Sequence, residues 1–320
     1  MRRRNFITLI GGAAAWPLAL RAQQGERTRR IAWFGLGRAD VPSPYLDALR
    51  SGLRELEGHN LTIGMYWATG QDMDAVAHTL AASNPEVTVT QELTVYAVRS
   101  VNTQAVVVFG VSGDPVEAKF VESLARPGGN LTGMSYLAFD LVGKRIELLK
   151  EWVPQVRHVA VLARPQHPGE HRERQATQEV IDKLDMLLSY FPTPDLTKMD
   201  EVFRAVLEAR CDALVVFPDA AMSAVSDQIA RFAAQAKLPS VSGWGSFARN
   251  GLLLTYGPNV PDIYRSLARY VDRILRGTKA AELPVELPTR FELVINLGTA
   301  KVLGLDVPPT LLARADEVIE

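Results

Sequence analysis

The chain has 320 residues, 35 lysines and arginines against 36 acidic residues, and 47% apolar residues. That composition excludes extended disorder, and a near-neutral charge argues against a nucleic-acid partner. The single cysteine, Cys211, excludes an intrachain disulfide, and its place before an apolar run suits a small buried residue better than a nucleophile.

The N-terminus reads as an export label. Arg2, Arg3 and Arg4 precede an apolar run over residues 6–20, and Leu20-Arg21-Ala22 supplies a small residue for cleavage. Arg3-Arg4-Asn5-Phe6-Ile7 fits the twin-arginine export pattern. Residues 1–22 are therefore expected to be a signal peptide, and without a cysteine there for lipid attachment the product is expected in the periplasm, not as a lipoprotein. Those residues hold four arginines and no acid, which leaves 31 basic against 36 acidic residues. No later apolar run approaches the roughly 18 residues of a membrane span.

Beyond residue 22, short apolar runs alternate with amphipathic stretches. Strands are expected at 30–35, 61–67, 87–89, 105–111, 131–135, 159–163, 186–191, 213–217, 240–242 and 252–256. Helices are expected at 45–57, 72–82, 116–125, 141–152, 170–184, 199–209, 221–236 and 263–276. Val106-Val107-Val108-Phe109 is apolar on consecutive residues, as in a parallel strand covered on both faces. Ser43-Pro44 and Asp114-Pro115 each place a capping oxygen ahead of a proline at a helix start. Residues 282–288, with two prolines, read as an extended tether outside the core.

The expected class is α/β, with two doubly wound parallel-sheet lobes, because about 298 residues suit two cores better than one. Residues 28–134 plus 257–287 are assigned to the first lobe, and 135–256 plus 288–320 to the second. Crossings near 133–136, 256–258 and 286–291 would make a three-stranded hinge around a cleft.

Several stretches carry a specific likeness. They include Gly113-Asp114-Pro115-Val116, Arg126-Pro127-Gly128-Gly129-Asn130-Leu131-Thr132-Gly133, Gly143-Lys144-Arg145-Ile146-Glu147-Leu148-Leu149-Lys150 and Tyr256-Gly257-Pro258-Asn259. The run Pro288-Thr289-Arg290-Phe291-Glu292-Leu293-Val294-Ile295-Asn296-Leu297 continues the pattern. Together they resemble the tryptophan-type branch of ABC transporter substrate-binding proteins, whose fold is the type I periplasmic binding protein, and the likeness extends over essentially the whole chain. The resemblance implies a monomeric, non-catalytic carrier without cofactor or metal, delivering an amino acid, aromatic acid or related solute to an ABC permease. A ligand-sensing module for a receptor and a periplasmic enzyme on the same architecture are the alternatives.

The resemblance also implies a site in the interlobe cleft, on turns 36–43, 91–93, 112–114, 164–167 with Asp219, and 242–244. Asp114 reads as a helix cap or a cleft carboxylate, the cap being favoured, and Ser112 as a ligand donor or a local backbone partner. Asp219 follows Val215-Val216-Phe217-Pro218, where relatives carry an acid that would suit an ammonium group. Trp244, between Gly243 and Gly245, is expected to stack on a planar group. Tyr256 and Tyr45 read as hinge braces or cleft hydroxyls. Glu92 and Arg164 depart from the relatives' turns; they would pair across the cleft, or Arg164 would bind an anion, in a pocket rewired away from amino acids. His167-Pro168-Gly169-Glu170-His171 superficially matches a zinc motif, but Pro168-Gly169 breaks the required helix, so a solvated loop is expected.

Overall fold

Consecutive apolar residues make strands that are sealed on both sides, and the burial of Ile31, Ala32, Trp33 and Phe34 in a row is the first instance. The computed structural model describes residues 28–56, 60–69, 71–91, 93–136, 139–167 and 169–320. The expected signal peptide and Glu92 lie outside them.

Strands β1 (Arg29–Leu36), β2 (Leu61–Ala68), β3 (Val87–Gln91), β4 (Val107–Val111) and β5 (Leu131–Ser135) form a parallel sheet in the order β2-β1-β3-β4-β5. A second sheet contains β6 (His158–Ala163), β7 (Leu187–Pro192), β8 (Ala213–Val216), β9 (Ser240–Ser242), β10 (Leu254–Pro258), β11 (Phe291–Asn296) and β12 (Glu317–Ile319). Its order is β12-β11-β10-β9-β8-β6-β7. The molecule is thus α/β with two parallel-sheet lobes. One pair departs from the parallel rule: β10 and β11 run antiparallel, with Leu254 opposite Ile295. The chain leaves the second sheet after β10, makes a helix on the first lobe and re-enters beside its point of exit, Phe291 lying opposite Pro258.

That helix, Val260–Leu275, is capped by Asn259, whose side-chain oxygen accepts from the Asp262 N–H at 3.1 Å. Its apolar face, with Ile263, Leu267 and Val271, packs on helix Pro44–Arg54 through Leu46, Leu49 and Leu53. Gly52 lets the two helices meet closely, because a Cβ there would strike the Arg265 carbonyl.

Four local expectations need correction. Residues 116–125 form a run of turns, not a helix; Lys119 adopts φ of 55°, and Phe120 is tied down between Tyr96 and Phe109. The stretch 221–236 is two helices, Ala220–Ala224 and Ser226–Gln235, broken at Val225. A helix unmarked by any cap signal, Thr94–Val101, follows β3. The supposed tether belongs to the core: Leu283 and Val285 are buried, and the Val285 N–H donates to the Leu124 carbonyl at 2.7 Å.

Between the sheets, the tether is laced to β5. The Glu286 N–H donates to Gly133 and the Ser135 N–H to Glu286, both at 3.1 Å. Gly133 holds φ of 152°, and a Cβ would overlap the Phe109 carbonyl of β4. Gly133→Ala is expected to lower unfolding free energy by about 1–3 kcal/mol in urea titrations. Gly129→Ala, whose Cβ would meet nothing, serves as the control and should stay within about 0.5 kcal/mol of the parent.

Candidate functional site

In open parallel sheets the crevice lies at the carboxyl ends of the strands where the order reverses. Here the reversals fall between β1 and β3 in one sheet and between β6 and β8 in the other. The turns that follow these strands, together with those after β4 and β9, face each other across a closed seam. The largest buried cluster passes straight through it, taking in Trp33, Tyr136 and Tyr264 on one side and Trp244 and Phe247 on the other.

Aromatic rings form the wall of the seam. Tyr45 stacks on Tyr264 with centroids 5.2 Å apart, and Trp33 meets Tyr264 edge-on at 5.5 Å. Trp244, 3% exposed, meets Tyr45 at 6.3 Å and Tyr136 at 6.0 Å, both edge-on. The Tyr136 hydroxyl donates to Tyr264 at 3.1 Å, and the Tyr264 hydroxyl donates to Gln91 Oε1 at 3.2 Å. Gly110 makes room for this pair, since a Cβ would crowd both hydroxyls.

A buried polar chain runs alongside. Ser112 Oγ, at the end of β4, lies 3.2 Å from His167 Nε2 in the second lobe. The same Nε2 lies 3.2 Å from Glu173 Oε2, and Glu173 Oε1 lies 3.4 Å from Arg145 Nη1. The Arg145 Nε–H completes the chain by donating to the Tyr256 carbonyl of β10 at 2.9 Å. Burial pushes the Arg145 guanidinium below its ordinary range, and Glu173 opposes the shift by charge and hydrogen bond. Ser112 Oγ also lies 3.4 Å from His167 Nδ1, so the hydroxyl meets the ring beside both nitrogens while Glu173 approaches Nε2. These contacts join the two lobes across the seam.

His167 corrects an earlier expectation: it is 5% exposed, and Glu170 is 8% exposed, so this stretch is no solvated loop. Among the described residues no three His, Cys, Asp or Glu side chains are grouped to hold a metal.

The other sequence candidates fall into place around the seam. Asp114 Oδ1 accepts from the Val116 and Glu117 N–H groups, at 2.8 and 3.3 Å, and its other oxygen lies 3.4 Å from Arg172 Nη1. Asp219 caps helix Ala220–Ala224 by accepting from the Met222 N–H at 2.6 Å, and its second oxygen lies 3.5 Å from Arg164 Nη1. Tyr256 sits on a crossing strand, its ring 6.2 Å from Phe291. Two hollows, of about 380 and 180 Å³, lie on the first lobe and include no aromatic wall residue.

Arg145, Glu173, Tyr136 and Tyr264 were not singled out as site residues by sequence reasoning, and His167 was placed in a site turn without a role of its own. A signal existed for two. Val142, Arg145, Ile146 and Leu149 share one buried helix face, as do Glu170, Glu173, Thr177 and Ile181. A charge on such a face requires a partner.

Arg172, from the second lobe, fastens the rim. It reaches both Asp114 and Glu117 of the first lobe, and its guanidinium lies 5.2 Å from the Phe139 ring centroid. Arg172→Ala should shift the molecule toward open forms, seen as a larger radius of gyration in small-angle scattering. Raising salt on the parent protein should move it part of the way.

The sequence profile described as "ABC transporter substrate binding protein" matches residues 46–319. The chain belongs to that family. Its members are binding proteins, not enzymes. A "Tyrosine-binding protein" of Clostridioides difficile (strain R20291) is 26% identical over 204 residues, which is 60% of this chain and 55% of that protein, so the match spans little more than half of the relative's length. A crystal structure of a conserved domain protein from Vibrio cholerae is 28% identical, covers 91% of this chain and all of its own, and superposes with a TM-score of 0.83. The structure of an ABC domain in complex with L-Trp from Streptococcus pneumonia is 21% identical over the same shares, at a TM-score of 0.82, and shares the fold.

Proposed function

We propose that this chain is an exported carrier that captures a small aromatic solute between its lobes and presents the closed form to an ABC permease. The observation that carries the reading is the ring wall shared by the lobes, with Tyr45 and Tyr136 meeting Trp244 where the two sheets face each other. Opening the hinge separates these faces, and an inserted ring would restore the edge-on contacts on both sides. Each such contact is worth about 0.5–1.5 kcal/mol beyond burial. The tyrosine-binding and L-Trp-bound relatives support an aromatic ligand. The arginine-led N-terminus supports delivery outside the cytoplasmic membrane, by the twin-arginine route. No helix among the described residues is long and apolar enough to cross a membrane. Action as a monomer is part of the reading, since a hinge between two lobes of one chain needs no second copy to enclose a ligand.

Selection of the closed form follows if the ligand contacts both lobes at once, because only differential affinity can shift the open–closed balance. Tryptophan-fluorescence titration with aromatic amino acids and aryl carboxylates should give a saturable change. Trp244→Ala should weaken binding roughly 10- to 100-fold, the loss expected for a buried ring anchor. A protein that binds none of these solutes ends the reading.

A further inference from the structure

We infer that the cleft selects an aromatic carboxylic acid without an α-ammonium group over the corresponding amino acid; this rests on the carrier reading above. An amino acid presents a carboxylate and an ammonium, and a site for it must supply both N–H donors and an uncommitted acid. The seam supplies the first and has spent the second.

Four buried side-chain N–H groups at the seam have no hydrogen-bond partner: Trp33 Nε1, Trp244 Nε1, Arg164 Nε and Arg145 Nη2. Arg164 directly follows β6, and Trp244 lies two residues beyond the end of β9. Trp33 Nε1 lies 2.6 Å from where a Cβ of Gly35, near the end of β1, would be, and Arg145, on helix Val142–Trp152, brings Nη2 against Gly243, the residue after β9. Leaving a buried N–H dry and unpaired is costly, so donors gathered at one seam mark the place of an acceptor-rich group.

The acids tell the opposite story. Asp219, placed to meet an ammonium, spends one oxygen on the Met222 N–H and has the other at 3.5 Å from Arg164. Glu173 Oε2 and Glu170 Oε1 make no hydrogen bond, yet each lies at ion-pair distance from a basic group: His167 at 3.2 Å and Arg174 at 3.4 Å. Asp114 is held by two backbone N–H groups and Arg172. Glu292, whose Oε1 lies against Gly245 beside Trp244, is likewise committed, to Asn259 Nδ2 at 2.9 Å and Arg249 at 3.8 Å. Each of these five carboxylates already faces a base or backbone donors, and burying an ammonium unpaired is prohibitive. Arg164 is the pivot: it cancels Asp219 with one nitrogen and offers another to an anion.

Calorimetric titration of the purified protein at neutral pH tests this with three matched probes per ring. These are 3-phenylpropanoate, L-phenylalanine and phenethylamine, then indole-3-propanoate, L-tryptophan and tryptamine. The acids should bind at least tenfold tighter than the matched amino acids, and the amines should not bind. Arg164→Asn should weaken the acids at least tenfold and strengthen the amino acids by releasing Asp219. Trp244→Phe keeps a ring but removes one donor, and should weaken the acids severalfold. Amino acids that match or exceed the acids overturn the inference while leaving an aromatic carrier intact. Silence from all six probes overturns both. Should Arg164→Asn fail to fold, the six-probe series on the parent protein decides alone.

Discussion

The closed seam depends on a single buried chain of polar contacts, from Ser112 through His167, Glu173 and Arg145 to the carbonyl of Tyr256. A guanidinium and a carboxylate sealed from water are tolerable only while each holds the other, and removing one partner from such a pair is strongly destabilising. The pair therefore fixes the second lobe's face firmly, and His167 stands on that fixed base when it meets Ser112. Because Arg145 also holds a hinge-strand carbonyl, the geometry of the seam and that of the hinge are coupled through one side chain. Rigid lobes with a defined contact between them behave as a two-state element, not a continuously flexible one.

Aromatic packing adds a second, less directional layer. Tyr45, Tyr264, Trp33, Tyr136 and Trp244 present faces and edges to one another, and such contacts hold over a range of small displacements. The polar chain sets position; the rings supply area. In the carrier proposed above, a pocket built this way would tolerate different ring systems while remaining strict about the group attached to them, because apolar surface discriminates weakly and unpaired polar groups discriminate strongly.

The α/β class, the two lobes and most strand positions were legible in the sequence because consecutive apolar residues, prolines at helix starts and glycines at turns are local signals. Where those signals misled, a distant contact had won. Phe120 is held by Tyr96 and Phe109, which lie in two other elements, and that pins residues 116–125 as turns. The burial of Leu283 depends on β5, whose Thr132 hydroxyl donates to the Leu283 carbonyl at 2.6 Å across 151 residues of chain. The turns at the strand ends could be located, since strand ends are readable. Their electrostatics could not, because the Arg164–Asp219 and His167–Glu173 pairings join residues whose proximity only the folded chain creates. Periodicity would have flagged Arg145 and Glu173 separately, since each occupies a buried helix face, but not that they pair with each other.

The excursion of the chain out of the second sheet and back has a consequence for biogenesis. The first lobe's opening helix, Pro44–Arg54, presents its apolar face to a helix that begins at residue 260, and that lobe's last edge is sealed by residues 283–286. A nascent chain emerging N-terminus first cannot complete even its first lobe until most of the polypeptide has been made. Contacts of such long sequence separation fold slowly and leave apolar surface bare in the interval. During that interval the unfinished lobe is exposed to aggregation and proteolysis.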